Sequence, residues 1–280
     1  MITGWKEKEM DEGAKTRSMA LYCDFENVAL GVRDAKYAAF DIQKVLERLL
    51  LKGNIVVKKA YCDWERYKEF KAAMHEASFE LIEIPHLRQS GKNSADIRMV
   101  VDALDLCYTK AHVDTFVIIS GDSDFSPLVS KLRENNKLVI GVGVKQSTSD
   151  LLTSNCDEFI FYDDLVRASA KQRQAKRKKA AQKPLAKGAD KSEEDKRQEA
   201  LDLLMATVED LFDERGEEEK VWGSMVKQAI KRRKPGFSEG YHGFRTFGKL
   251  LEAARDRGLL DLTFDEKSGG YIIKGFALED

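Results

Sequence analysis

The sequence is poor in the residues that build cysteine-dependent or histidine-dependent sites. Its 280 residues include four cysteines and four histidines. The cysteines are Cys23, Cys62, Cys107 and Cys156. They form no CxxC pair and have no histidine at zinc-ligand spacing, which excludes a zinc finger. Three of them lie in or beside apolar segments, as is typical of reduced, buried thiols. The histidines share no motif, so we expect no histidine-dependent mechanism.

Long apolar runs and a charge excess are also missing. No run approaches the ~20 residues that a membrane span needs, and the N-terminal segment is charged, without the apolar core of a signal peptide. The net charge is -1, from 47 basic and 48 acidic residues. Any nucleic-acid binding must therefore come from local clusters of charge. We expect a soluble, cytoplasmic protein with no membrane partner.

Phosphate-binding and nucleophile motifs are absent as well. Gly141-Val-Gly143 lacks the third glycine of a dinucleotide-binding loop, and no Gly-x-Ser-x-Gly elbow occurs. The chain does have 42% hydrophobic residues, enough for real cores. Its length suits two domains of ~100–200 residues each.

Apolar runs of strand length alternate with helical periodicity through the first half of the chain. The predicted strands are Met19–Asp24, Asn54–Ala60, Phe79–Ile84, Thr115–Ser120, Leu138–Val142 and Glu158–Tyr162. The predicted helices are Phe40–Lys52, Trp64–Ala77, Ser94–Tyr108 and Pro127–Asn135. We predict a polar loop directly after Asp24. The alternation indicates an α/β domain with a mostly parallel sheet covered on both faces.

The composition changes after Asp164. Residues 165–188 contain nine basic residues and no acidic one. This pattern predicts a basic linker, which is either a solvated connector or a contact for a phosphate backbone. The linker residues that we predict to bind RNA are Lys176, Arg177, Lys178 and Lys179. The predicted divisions are a tail (1–18), an α/β domain (19–165), a linker (166–195) and a second domain (196–280).

The second domain has three stretches of helical periodicity followed by a hairpin. The predicted helices are Ala200–Phe212, Trp222–Arg232 and Phe244–Arg257, and the predicted hairpin strands are Leu259–Phe264 and Tyr271–Ile273. Three helices followed by a β-hairpin is the order of a winged helix, a small α+β fold.

Carboxylates fall where predicted strands end. Asp24 closes the first strand, and Asp122 and Asp124 follow the buried strand Thr115–Ser120. Parallel strands bring these acids to one edge of the sheet. Asp96 lies at the start of the predicted helix Ser94–Tyr108. Clustered carboxylates repel one another, and oxygen ligands favour Mg²⁺ or Mn²⁺. Ser120 and Ser123 offer hydroxyls to fix the carboxylates.

Each of these residues also has a structural interpretation. An Asp-x-Asp after a strand is often a helix cap, and an acid in the first turn of a helix complements the helix dipole. Asn27 lies three residues after Asp24, where it could orient a water or a phosphate. The convergence of the four aspartates favours the metal site over these alternatives.

Three segments resemble the signatures of NYN domains, the PIN-like nucleases also called LabA-like or DUF88. They are Ala20–Asn27 (ALYCDFEN), Lys92–Asp102 (KNSADIRMVVD) and Phe116–Leu128 (FVIISGDSDFSPL). The resemblance implies a three-layer PIN-like fold and a ribonuclease site that uses Mg²⁺ or Mn²⁺. It assigns metal binding to Asp24, Asp96, Asp122 and Asp124, and a catalytic role to these four and Asn27.

The C-terminal unit resembles an OST-HTH (LOTUS) winged-helix domain. The resemblance is carried by Val221–Ile230, Pro235–Tyr241, Gly243–Leu251 and Gly270–Ile273. It implies binding of RNA, with protein contacts in some cases. The residues that we predict to bind RNA here are Lys231, Arg232, Arg233, Tyr241, Arg245 and Lys249. The aromatic residues Phe244 and Phe247 are better explained as core.

We predict a cytoplasmic endoribonuclease that hydrolyses RNA, in single-stranded form, at the acidic site. The winged helix would recruit the RNA, because cations and an exposed ring hold single strands by phosphate contact and stacking. Two alternatives stay open: a non-catalytic RNA-binding adaptor, and a phosphohydrolase of nucleotides or small phosphates. The sequence does not predict the oligomeric state.

Overall fold

The computed structural model describes residues 16–84, 94–170, 192–216 and 219–277. Most of the predicted tail and linker lies outside these residues, including Lys176, Arg177, Lys178 and Lys179. Among the described residues, no helix is both long enough and apolar enough to cross a membrane.

The first domain is built on six parallel strands. The strands are β1 (Arg17–Asp24), β2 (Gly53–Cys62), β3 (Glu80–Glu83), β4 (Thr115–Ile119), β5 (Leu138–Gly143) and β6 (Glu158–Phe161). Their order across the sheet is β3-β2-β1-β4-β5-β6. All five neighbouring pairs are parallel. All six carboxyl ends therefore lie at one edge, which we call the carboxyl edge, and the strands begin at the amino edge.

Helices cover both faces of this sheet. The helices are α1 (Phe25–Asp34), α2 (Ile42–Lys52), α3 (Lys68–Glu76), α4 (Ser94–Thr109), α5 (Ser126–Glu134), α6 (Asp150–Asn155) and α7 (162–170). The first three and α7 pack on one face, and the other three on the opposite face. Successive residues of β1 alternate between the two cores: Leu21 belongs to one and Tyr22 to the other. Because both faces of β1 are buried, the residues on both faces are apolar, and the strand appears in the sequence as a continuous apolar run.

The predicted loop after Asp24 is wrong, because helix α1 begins there. Asp24 caps the helix by accepting a hydrogen bond from the backbone N–H of Asn27. Phe25, Val28 and Val32 then form a buried face at helical spacing. The charged residues between these positions made the segment look like a loop.

The second domain combines three helices with a three-stranded antiparallel sheet. Its elements are α8 (Glu193–Arg215), β7 (Val221–Trp222), α9 (Gly223–Arg233), α10 (Phe247–Asp256), β8 (Leu260–Asp265) and β9 (Gly270–Phe276). The strand order is β7-β9-β8, with both pairs antiparallel. The predicted fold class is confirmed: a parallel α/β sheet is followed by a small helical domain with an antiparallel sheet.

The two domains dock at the amino edge of the parallel sheet. Leu51, near the end of α2, is 6% exposed and belongs to the apolar core of the second domain. Around it, Lys52 forms ion pairs with Glu158 of β6, at 2.8 Å, and with Glu214 of α8. Glu214 also pairs with Arg48 of α2, at 2.5 Å.

Two arginines of α9 complete this interface. Arg232 donates hydrogen bonds to the carbonyl oxygens of Leu50 and Leu51, at 2.7 and 3.0 Å. Arg233 donates two more to the carbonyl oxygen of Glu47, at 3.1 and 3.0 Å. The last carbonyls of a helix lack partners within the helix and carry partial negative charge. The Arg232 guanidinium therefore caps α2 from the other domain, and Arg233 adds a contact to a carbonyl further back in the same helix.

Candidate functional site

The carboxyl edge has a natural binding position at its centre. β1 and β4 are neighbours there, with Cys23 paired with Ile119. The chain continues from β1 towards β2 on one side and from β4 towards β5 on the other. Parallel sheets open a crevice at such a reversal, and their ligands bind beyond the strand ends. Asp24 ends β1 and Asp122 follows β4, so both lie at this crevice.

Asp24 is the most deeply placed carboxylate of the group. It is 8% exposed, and its Oδ2 accepts a hydrogen bond from the Ser120 hydroxyl at 3.0 Å. Burial, together with the charges of Asp96 and Asp122, raises the pKa of Asp24 to about 7, although its hydrogen bonds act in the opposite direction. A carboxylate in this position is costly when ionised and favours a nearby cation.

Hydrogen bonds hold the loop after β4 against the start of α1, and they involve Ser120, Gly121 and Asn27. The backbone N–H of Gly121 donates to Asn27 Oδ1 at 2.9 Å, and that of Asp122 donates to Ser120 Oγ at 3.2 Å. A Cβ on Gly121 would lie 2.5 Å from the backbone oxygen of Ser147, so this position requires glycine. Ser120 fixes Asp24 as predicted. Asn27 acts here through the loop that it positions.

The other two acids come from elements on either side. Asp122 caps the short helical turn Ser123–Phe125 by accepting from the N–H of Asp124 at 3.0 Å. Asp96 lies in the first turn of α4 and is half-buried. Burial raises the pKa of Asp96, and the charges of Asp122 and Asp124 raise it further. The four predicted aspartates therefore repel one another across the carboxyl edge.

The donor chemistry at this edge suits a divalent cation. The site offers carboxylate, hydroxyl and amide oxygens, which are hard ligands of the kind that Mg²⁺ and Mn²⁺ prefer. Within the described ranges, however, no group of three or more His, Cys, Asp or Glu side chains is placed so that it could hold a metal ion. The assignment of Asp24, Asp96, Asp122 and Asp124 as ligands therefore stays a prediction.

The predicted RNA-binding residues of the second domain fall into two groups. Tyr241 is 60% exposed, with the ammonium of Lys196 5.0 Å from its ring centre. Arg245, Lys231 and Lys249 are exposed too, and Lys249 pairs with Glu252 at 2.5 Å. Arg232 and Arg233 instead donate hydrogen bonds to backbone carbonyl oxygens of α2, so their guanidinium groups are engaged within the protein. Phe244 and Phe247 are buried, which confirms their assignment to the core.

A basic crevice lies between the domains, with a volume of about 640 Å³. Lys227, Lys231 and Arg232 of α9 face Asn54 and Ile55 of β2 across it. Lys227 pairs with Glu239 at 3.0 Å. Sequence reasoning missed Lys227 and Lys196. Lys227 lies four residues before Lys231 on α9, a spacing that places both on one face of the helix. The contact of Lys196 with Tyr241 could not be predicted, because it depends on how α8 packs.

Comparison with known proteins identifies the first domain. The NYN domain family matches residues 18–163, more than half of the chain. The chain is also 27% identical over 159 residues to an uncharacterized protein of Methanocaldococcus jannaschii, covering 57% of this chain and 63% of that protein. The matched region thus spans less than two thirds of that relative.

A solved structure is similar over about half of the chain. It is a protein of unknown function from Vibrio parahaemolyticus, 26% identical, with a TM-score of 0.49. The match covers 55% of this chain and 98% of that one. The family match alone is sufficient: the chain belongs to the NYN domain family of PIN-like nucleases.

Proposed function

We propose that this NYN protein is a metal-dependent endoribonuclease that hydrolyses single-stranded RNA at the carboxyl edge of its parallel sheet. The observation that carries the proposal is the position of Asp24 and Asp122 where the strand order reverses, with Asp96 and Asp124 close enough for the like charges to raise the pKa values of Asp24 and Asp96. That position is where α/β sheets bind ligands. Family membership supports nuclease chemistry.

The proposed chemistry needs little beyond positioning and charge. Asp24, Asp96, Asp122 and Asp124 would hold one or two Mg²⁺ or Mn²⁺ ions. A bound divalent cation activates water and neutralises charge developing on the phosphate. Ser120 holds Asp24 in place, and Asn27 holds the loop that carries Asp122. Both act by fixing the carboxylates before the substrate arrives.

The second domain would recruit the RNA. Its resemblance to LOTUS domains supports this role, as do the exposed Tyr241 and the cations Lys196, Lys231 and Arg245. An exposed ring and neighbouring cations can stack a base and hold its phosphates. A protein partner at the same domain is the competing proposal.

The decisive experiment is cleavage of end-labelled single-stranded RNA with Mg²⁺ or Mn²⁺ and with a chelator. We expect cleavage with metal, loss on chelation, and at least a ~100-fold lower rate in Asp122→Asn. Asp105→Asn is the matched control, because it removes the same charge from an exposed position on α4. Cleavage that persists in Asp122→Asn, or survives chelation, contradicts the proposal.

One observation favours the adaptor alternative. The described acids form no group of three that could hold a metal ion, which is consistent with an RNA-binding protein that cuts nothing. The same assay separates the two proposals. An adaptor binds the labelled RNA equally with metal and with chelator and leaves it intact.

A further inference from the structure

A groove runs from the acidic edge between α4 on one side and α5 and α6 on the other. Its volume is about 690 Å³, within the usual range for small-molecule sites. Asp96 and Asp124, two of the proposed metal ligands, line it. The remaining lining residues are Ile97, Val100, Val101, Ser123, Ser126, Pro127, Ser130 and Leu151.

The walls of this groove are apolar although they face solvent. Ile97 and Val101 of α4 are 63% and 55% exposed, and Leu151 of α6 is 56% exposed. Large apolar side chains are normal on a surface when scattered singly, but a contiguous group indicates a binding surface. Here three of them line a single concavity.

We propose that this groove receives a nucleobase of the RNA whose phosphate lies at the carboxylates, so that the site takes RNA as an unstacked single strand. The inference rests on the proposed ribonuclease function and adds a base-binding subsite to it. A flat, uncharged ring would pack against the apolar lining, which Ile97 and Val101 supply from α4 and Pro127 and Leu151 from α5 and α6.

Charge excludes the backbone from the groove and favours the base. No lysine, arginine or histidine lines it among the described residues, whereas two aspartates do. A phosphate would be repelled there, and a neutral base would not. A second copy of this chain would bury Asp96 and Asp124 without a counter-charge, which is costly. A nucleotide base leaves both carboxylates free to hold a cation, as the proposed function requires beside the reacting phosphate.

Serine hydroxyls supply the polar contacts that a base edge needs. Ser123, Ser126 and Ser130 all line the groove. The Ser126 hydroxyl is buried and has no hydrogen-bond partner among the described residues. An unpaired buried hydroxyl carries a desolvation cost, and a rotation of the Ser126 side chain towards the ligand would relieve it.

The test compares two fluorescent ligands of equal length and charge: an oligouridylate, and the same ribose-phosphate backbone without bases. The full chain is used as Asp122→Asn, with Mg²⁺, to prevent cleavage. We expect the oligouridylate to bind at least about fivefold more tightly, since one stacked base contributes about that factor or more. Ile97→Ser with Val101→Ser should lower the preference by about that factor, and any preference that remains would come from stacking on Tyr241.

Val56→Ser is the matched control, because Val56 is 48% exposed on β2 and does not line the groove. It should leave the preference unchanged. An undiminished preference in the double variant overturns the proposal. So does a fall from dimer to monomer in that variant without a change in base preference, which would make the groove an interface between copies.

The ribonuclease proposal can fail separately. If the chain with Asp122 intact cleaves no RNA, but the double variant still loses the preference for bases, the groove is a nucleobase site in a non-catalytic protein. If cleavage occurs and the preference is unaffected, the nuclease stands and the groove proposal is wrong.

Discussion

At the amino edge of the parallel sheet, basic side chains meet carboxylates and carbonyl oxygens, whereas the aspartates at the centre of the carboxyl edge face one another. Lys52 lies between Glu158 and Glu214, and Arg232 caps the end of α2. Asp24 and Asp96 instead have pKa values raised by burial and by neighbouring aspartates. The edges are separated by the length of β1, roughly 25 Å at ~3.3 Å per residue.

This difference separates stability from function within one sheet. The charged groups at the amino edge have ion-pair or hydrogen-bond partners within the protein, so removing one partner should lower the free energy of unfolding. The carboxyl edge holds carboxylates whose ionised form is unfavourable, as is common at functional sites. Substitutions at the two edges should therefore have opposite effects on the stability of the metal-free protein.

The largest expected effect on stability is at the amino edge. Leu51→Ala removes a side chain that is 6% exposed and packed in the core of the other domain. We expect the free energy of unfolding to fall by about 2–5 kcal/mol. Urea unfolding measures it. Leu138→Ala, at a leucine 39% exposed at the start of β5, is the control. Equal losses in both variants would mean that the domains do not dock.

A smaller effect of opposite sign is expected at the carboxyl edge. Asp24→Asn keeps a side chain that can cap α1, but it removes a buried carboxyl group whose pKa is about 7. Because the pKa of Asp24 is higher in the folded protein than in the unfolded chain, the free energy of unfolding of the wild type falls as the pH rises through 7. In chelator at pH 8, the variant should be more stable, on the order of 1–3 kcal/mol.

The pH dependence checks the cause of this gain. It should shrink as the pH falls from 7 towards 4, where Asp24 becomes protonated in the folded wild type. Asp41→Asn is the control, because Asp41 also caps a helix but pairs with Lys44. Thermal melts at several pH values measure both variants. A gain for Asp41→Asn as large as that for Asp24→Asn would rule out burial as the cause.

The two edges were also unequal in how far the sequence could predict them. Asp24, Asp122 and Asp124 follow strands, and the parallel direction of the strands is enough to gather them. Asp96 lies at the start of α4, and only the family resemblance assigned it to the same site. The docking of Leu51 could not be predicted in this way. The run Leu46–Lys52 is apolar enough to fill the core of its own domain, and nothing in it indicates that Leu51 packs against a second domain.

The arginines of α9 show the same limit. Lys231, Arg232 and Arg233 are adjacent cations, and charge alone suggests a phosphate partner for all three. A helix turns by about 100° per residue, so the three side chains point in different directions. Arg232 and Arg233 donate to carbonyl oxygens of α2, and Lys231 remains exposed at the crevice. Only the position of α2 distinguishes them.

That distinction leads to the smallest expected effect. Lys231→Ala should reduce the salt dependence of RNA binding by roughly 0.7 in log–log slope, the value of one phosphate contact on a single strand. It should leave the free energy of unfolding nearly unchanged, since Lys231 is exposed. Lys68→Ala is the control, because it removes the same charge from α3, where Lys68 pairs with Glu65 at 3.0 Å. Fluorescence anisotropy across a series of salt concentrations gives both slopes. If the slope for Lys231→Ala equals that of the wild type, RNA does not reach the crevice, and the amino edge serves docking alone.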